Sequence, residues 1–184
     1  TEWQKSQQKK QPMSGFMLDI DDFKSINDNH GLSTGDEVLR DVATAIMNTV
    51  DDTDIVCRYG GEEFAVLMPD TPIGDAELRA ERCRLALKAL TFRVANLKVT
   101  ASLGISSLCQ NPTSPQDLLD QADKCLYAAK GNRRNQVVRW DKAQPLIDQL
   151  AAEAAAGRAE ERRETIDPGT AIPFHAVAAL TTAL

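Results

Sequence analysis

Two apolar runs, Ile55–Tyr59 and Phe64–Met68, stand on either side of Gly60-Gly61, and this arrangement constrains the fold more than any other stretch of the chain. Gly-Gly is accepted readily by the primed turns that join antiparallel strands, so the segment predicts a hairpin. Elsewhere strands and helices alternate. Gly15–Ile20 reads as a buried strand, a short helix follows at Asp22–Asn29 and a longer one after Thr34, and another helix starts near Pro72. Leu97–Ile105 reads as a strand, Pro115 opens a helix with Leu118, Leu119, Ala122, Cys125, Leu126 and Ala129 inside, and Gln136–Arg139 is a last strand. With a hairpin inside such an alternation, a doubly wound parallel sheet fits less well. The fold class expected is α/β (α+β), with helices over a central mixed sheet.

Thr34-x-x-Glu37 has the form of a capping box, ahead of an inner face of Val38, Leu39, Val42, Ile46 and Val50. The 184 residues suit one domain with an extension. Residues 1–12 read as the end of a lead-in helix, 13–140 as the domain, and 141–184 as a helical extension (Ala151–Glu164) with an apolar tail. No run approaches the ~18 apolar residues of a membrane span, and no secretory signal is present, so a cytoplasmic location without membrane contact is expected. The net charge of −6 argues against general nucleic-acid binding. Cys57, Cys83, Cys109 and Cys125 lie in apolar surroundings without C-x-x-C spacing, as reduced core thiols do. His30 and His175 have no partner spacing for a metal.

The chemistry sits in acids. Asp19 and Asp21 close an apolar strand, where a buried carboxylate is costly unless a cation or a donor compensates it. Glu62 and Glu63 follow the Gly-Gly turn, and strand alternation would send them to opposite faces, leaving one to join Asp19. Magnesium takes a few hard oxygens and keeps water and phosphate, which suits Asp19 with Glu62. Taken singly, these residues also fit an ordinary strand end and an acidic surface hairpin.

In combination, Asp19-Ile20-Asp21-Asp22-Phe23-Lys24-Ser25-Ile26-Asn27-Asp28, Gly35-Asp36, Arg58-Tyr59-Gly60-Gly61-Glu62-Glu63-Phe64, Ser102-Leu103-Gly104-Ile105 and Ala122-Asp123-Lys124-Cys125-Leu126-Tyr127-Ala128-Ala129-Lys130 with Arg134-Asn135 resemble the GGDEF family of diguanylate cyclases, in its GGEEF form. The resemblance covers residues 13–139. It implies a nucleotidyl-cyclase, palm-like sheet of about five strands wrapped by helices. It further implies condensation of two GTP into cyclic di-GMP, with Asp19, Glu62 and the Ile20 carbonyl holding two Mg²⁺ ions, for which Mn²⁺ can substitute. Glu62 and Glu63 are the implied catalytic acids, Glu63 as proton acceptor or as support for the metal site. Asn27 and Asp36 would bind guanine beside Leu39; a carboxylate matches the N1–H and N2–H donors that adenine lacks. Phe23, Lys24, Lys130 and Arg134 would meet phosphates. Read without the resemblance, Asp36 also suits a helix N-terminus, Asn27 a turn, and Lys130 and Arg134 a solvated helix end.

Two protomers facing each other about a two-fold axis are implied as the working unit, each holding one nucleotide. The family's inhibitory R-x-x-D site falls at Asp51-Asp52-Thr53-Asp54; Asp54 matches, Asp51 replaces the arginine, and Arg82 stands where a secondary arginine often occurs. Weak or absent product inhibition is therefore expected. Other departures are Leu32 in place of a histidine, His30 in place of an aromatic, Arg133 in place of a glycine, and the missing lead-in motif, which suggests a truncated start. The alternative function is a catalytically silent module that binds GTP or cyclic di-GMP and regulates a partner.

Overall fold

A computed structural model describes residues 1–150 and 152. The chain divides into a compact unit, Thr1–Ile147, and a second unit, Asp148–Leu184. The first begins with α1 (Glu2–Lys9), started by a capping box in which Thr1 Oγ1 accepts from the Gln4 amide. There follow β1 (Met13–Ile20), α2 (Phe23–His30), α3 (Leu32–Met47), β2 (Ile55–Arg58), β3 (Glu63–Pro69), α4 (Ile73–Lys88), β4 (Ala101–Ser107), α5 (Pro115–Gly131) and β5 (Val137–Arg139). Residues 140–147 end this unit in helix; in the second unit residues 148–150 and 152 are helical, and the helix expected over 151–164 otherwise lies outside the described residues.

The five strands form one mixed sheet in the order β2-β3-β1-β4-β5. β1 runs antiparallel to β3 and β4, and β5 joins β4 in parallel after crossing over through α5. β1 is central and buried throughout, so its apolar run serves both faces. Phe16, Leu18 and Ile20 enter the main core with residues of α2, α3 and α4. Met17 packs on the other face with Ala65, Ala122 and Leu126. There α5 crosses β4 at Gly104, where an added Cβ would lie 2.0 Å from the Ala122 carbonyl oxygen, so the helix sits directly on backbone.

Five local expectations are corrected. Helix α3 starts two residues before Thr34, from Gly31 at φ 83; Thr34 is already helical and its hydroxyl donates to the His30 carbonyl at 2.9 Å, so the capping box does not form. A left-handed glycine joins α2 to α3 with a single-residue break, and that conformation outweighs the side-chain cap. The Gly60-Gly61 hairpin forms, but neither glycine has positive φ, so its turn is not a primed one. Instead the Tyr59 and Gly60 amides both donate to the Glu63 carbonyl, at 2.8 and 3.2 Å, and Arg58 closes the loop onto the Gly61 carbonyl at 2.6 Å. Of the cysteines, Cys83 and Cys125 are core thiols with pKa values pushed up to about 11 and about 12 by burial, whereas Cys57 on edge strand β2 and Cys109 after β4 are exposed. Strand β4 also begins at Ala101 rather than Leu97, and Val50 packs on the core from beyond the end of α3. Among the described residues, no helix is long and apolar enough to cross a membrane.

Candidate active site

The C-terminal end of β1 carries two buried acids whose charges are met differently. The Asp21 carboxylate accepts from the Thr100 and Ser102 hydroxyls, each at 2.7 Å, and from the Asn135 amide at 3.0 Å. It is a fully served anchor that ties β1 to β4 and to the loop after α5. Asp19 has no such donors. Its Oδ2 pairs with Lys130 Nζ at 2.7 Å, while its Oδ1 is buried with no hydrogen-bond partner. Burial raises the Asp19 carboxyl above its ordinary range, against the opposing pull of Lys130.

Glu62 lies close enough to feel that charge: burial raises its pKa, and Asp19 and then Glu63 add to the rise while Lys130 opposes it. Glu62 belongs to the loop, because β3 begins at Glu63, so strand alternation does not separate the two acids. Asp19 is the cross-strand partner of Glu63, which puts those two side chains on one face of the sheet. The Glu63 carboxylate folds back against Gly60, where a Cβ would meet its Oε2 at 2.4 Å. Glu62 is thus the acid that senses the Asp19 charge, and Glu63 is the cross-strand partner of Asp19 with its carboxylate turned to Gly60. The Ile20 amide donates to the Glu62 carbonyl at 3.3 Å, and in an extended residue the carbonyl leaves by the same edge, toward this loop.

Among the described residues no group of three or more His, Cys, Asp or Glu side chains is arranged to hold a metal. The expected donor set asks for less: two carboxylates and a main-chain carbonyl. The orphaned Asp19 oxygen and the desolvated Glu62 beside it fit a hard cation on those terms.

The remaining expected residues surround this point. Asp22 enters α2 at φ 54 and makes no side-chain cap, which leaves the Phe23 and Lys24 amides to a phosphate or to water. The Phe23 ring is buried in the core and Lys24 is exposed, so Phe23 can offer a ligand only backbone, and Lys24 backbone and charge. Arg134 reaches Asp22 Oδ1 at 3.5 Å. Asn27 turns its amide toward α3, where a Cβ on Gly35 would lie 1.9 Å from its Oδ1; the glycine is what lets the two helices close around that side chain. Asp36 and Leu39 line an open cleft of about 890 Å³ between α3 and the β2–β3 hairpin, together with Arg58 and Phe64.

Asp51 and Asp54 line the far end of the same cleft. The structure supplies there an arginine that sequence reading missed. Arg79 of α4 bridges Asp51 and Asp54, meeting Asp54 Oδ2 at 2.5 Å, and the Asp54 side chain is fully buried. Arg82 is elsewhere, donating to the Thr49 carbonyl at 3.3 Å. Asp51 is therefore neutralised within the chain instead of standing bare. The spacing of Arg79 and Arg82 on one helix gave no sign of which would turn inward.

The family described as "Diguanylate cyclase, GGDEF domain" matches residues 1–136. The response regulator PleD of Caulobacter vibrioides is 46% identical over 131 residues, covering 69% of this chain and 29% of PleD. Diguanylate cyclase A of Treponema denticola is 40% identical over 134 residues, covering 72% of this chain and 36% of that protein. The chain thus spans about a third of these relatives. Among solved structures, the active GGEEF domain of a diguanylate cyclase from Vibrio cholerae superposes with a TM-score of 0.73 at 32% identity, covering 76% of this chain and 89% of that one. The GGDEF domain of DgcB from Caulobacter crescentus, solved in complex with c-di-GMP, gives 0.70 at 31% identity, covering 76% and 84%.

Proposed function

This chain belongs to the diguanylate cyclase GGDEF-domain family, and we propose that it condenses two GTP molecules into cyclic di-GMP and two pyrophosphates. The observation that carries this reading is Asp19, a buried carboxylate at a strand end with one oxygen unpartnered and with Glu62 beside it. A cell has little reason to bury such a group unless a cation completes it.

In this reading Asp36 accepts from the guanine N1–H and N2–H groups, Asn27 completes the base edge, and Leu39 packs on the ring. The first-turn amides of α2, at Phe23 and Lys24, receive phosphate oxygens, and Lys130 and Arg134 hold the terminal phosphates. Asp19, Glu62 and the Ile20 carbonyl would hold Mg²⁺, or Mn²⁺ in its place, which would neutralise triphosphate charge and make the ribose 3′-hydroxyl more acidic. Glu62 or Glu63 takes the proton of that hydroxyl as it attacks the α-phosphorus of the facing nucleotide. The site is half of a centre, so two protomers meet across a two-fold axis. Residues 13–140 are the proposed catalytic unit, preceded by a lead-in and followed by an extension, with the nucleotide drawn from the cytoplasm. Occupation of Asp51 and Asp54 by Arg79 supports weak product inhibition.

The test is chromatography of nucleotides after incubating an enforced dimer with GTP and Mg²⁺. Cyclic di-GMP is expected, and none from the Glu63→Gln dimer. An enforced dimer that binds GTP yet forms no cyclic di-GMP would instead identify a regulatory binding module.

A further inference from the structure

Two cations are parked on acids at the end of β1: Lys130 on Asp19 at 2.7 Å, and Arg134 on Asp22 at 3.5 Å. We propose that Lys130 is a tethered plug of the metal seat, holding Asp19 in the nucleotide-free protein and releasing it when a triphosphate draws the ammonium away. This rests on the reading of Asp19 and Glu62 as metal ligands.

The pairing is unequal in a way that favours exchange. The Asp19 side chain is 4% exposed and that of Lys130 36% exposed, so the lysine reaches inward from the surface while the carboxylate cannot move out to meet it. One ammonium serves only Oδ2; Oδ1 stays unpartnered and Glu62 adds a second negative charge nearby. The seat is therefore occupied but not satisfied, a cost that persists until a divalent ion replaces the lysine.

The backbone under Lys130 is fixed. It lies in the last turn of α5, and the next segment holds Arg133, Arg134 and Asn135 all at positive φ, with the Asn135 amide tied to Asp21 at 3.0 Å. Only the flexible four-carbon stem is free to swing. Arg134 sits on Asp22 at the uncapped start of α2, where anionic oxygens are favoured, and Lys130 sits on Asp19 three positions earlier, so one polyanion can draw on both. Metal and nucleotide then strengthen each other's binding, because whatever frees Asp19 for one is supplied by the other.

The experiment is calorimetric titration with Mn²⁺ alone, at pH 8 to keep Asp19 ionised, of wild type, Lys130→Gln, Lys130→Arg and the Lys130→Gln/Asp19→Asn pair. Without its plug, Lys130→Gln binds Mn²⁺ at least about tenfold more tightly than wild type. Lys130→Arg keeps the charge and stays near wild type, and the double variant loses the gain. Lys130→Ala is the second neutral variant, read in the same way. Neutral variants that bind Mn²⁺ no better than wild type overturn the proposal. A companion titration with a non-hydrolysable GTP analogue present separates the two levels. If Asp19→Asn abolishes Mn²⁺ binding there while Lys130→Gln changes nothing in its absence, only the plug falls. If Asp19→Asn binds like wild type, the metal-site reading falls with it.

Discussion

Asp19 and Asp21 are two positions apart, both buried, and the structure assigns them opposite effects on stability. Replacing each by asparagine in the nucleotide-free, metal-free protein tests that assignment. At Asp21 three donors bind the carboxylate. An amide of the same shape loses the charge assistance in all of them, about 0.7 kcal/mol each and roughly 2 kcal/mol in all. At Asp19 burial outweighs the attraction of Lys130, and Oδ1 has no donor, so a neutral side chain relieves a penalty of about 1 kcal/mol. Lys130, partly exposed, can turn to water. In thermal unfolding with EDTA, Asp21→Asn should melt about 6 °C below wild type and Asp19→Asn about 3 °C above it. Added Mn²⁺ and GTP analogue should stabilise Asp21→Asn but not Asp19→Asn. If Asp19→Asn is destabilised as much as Asp21→Asn, then Asp19 is a second anchor and the reasoning about its orphaned oxygen fails.

The gain from Asp19→Asn should depend on pH. Because the folded-state pKa is raised, folded protein holds more protons than unfolded protein above the ordinary value of 3.8, and wild-type stability contributed by this group falls as pH rises through that window. Chemical denaturation across pH should show no advantage for Asp19→Asn below 3.8 and a growing one above it; a constant difference would contradict this. Arg79→Met leaves Asp54, whose side chain is fully buried, without its cation and should cost about 3–5 kcal/mol in urea unfolding, part of it recovered by adding Asp54→Asn. Arg133 sits at φ 69, where glycine is at ease, so Arg133→Gly should stabilise by up to about 1 kcal/mol, measured the same way.

Much of this architecture was legible because it is local. The apolar run into Asp19, the Pro115 helix start and the hairpin around Gly60-Gly61 are patterns within a few residues, and each element formed where expected. Two of the errors were also local, contests between short-range preferences: Gly31 in the left-handed region displaced the Thr34 cap, and the Arg58 contact to Gly61 accompanies a loop other than a primed turn. What could not be read was pairing at long range. Asp21 meets Thr100, Ser102 and Asn135, which are 79, 81 and 114 positions away. Arg79 meets Asp54 and Asp51 across 25 and 28. The sequence marks both strand-end acids as costly; only the folded neighbours show that one is served by three donors and the other keeps one oxygen without a hydrogen-bond partner.

The central claim is that Asp19 and Glu62 seat a divalent ion. Anomalous diffraction from crystals grown with Mn²⁺ and a non-hydrolysable GTP analogue tests it most directly. A peak bonded to Asp19 Oδ1 and Glu62, with Lys130 withdrawn to the phosphates, is the predicted result; Lys130 still paired with Asp19 beside bound nucleotide, with no peak there, would contradict it.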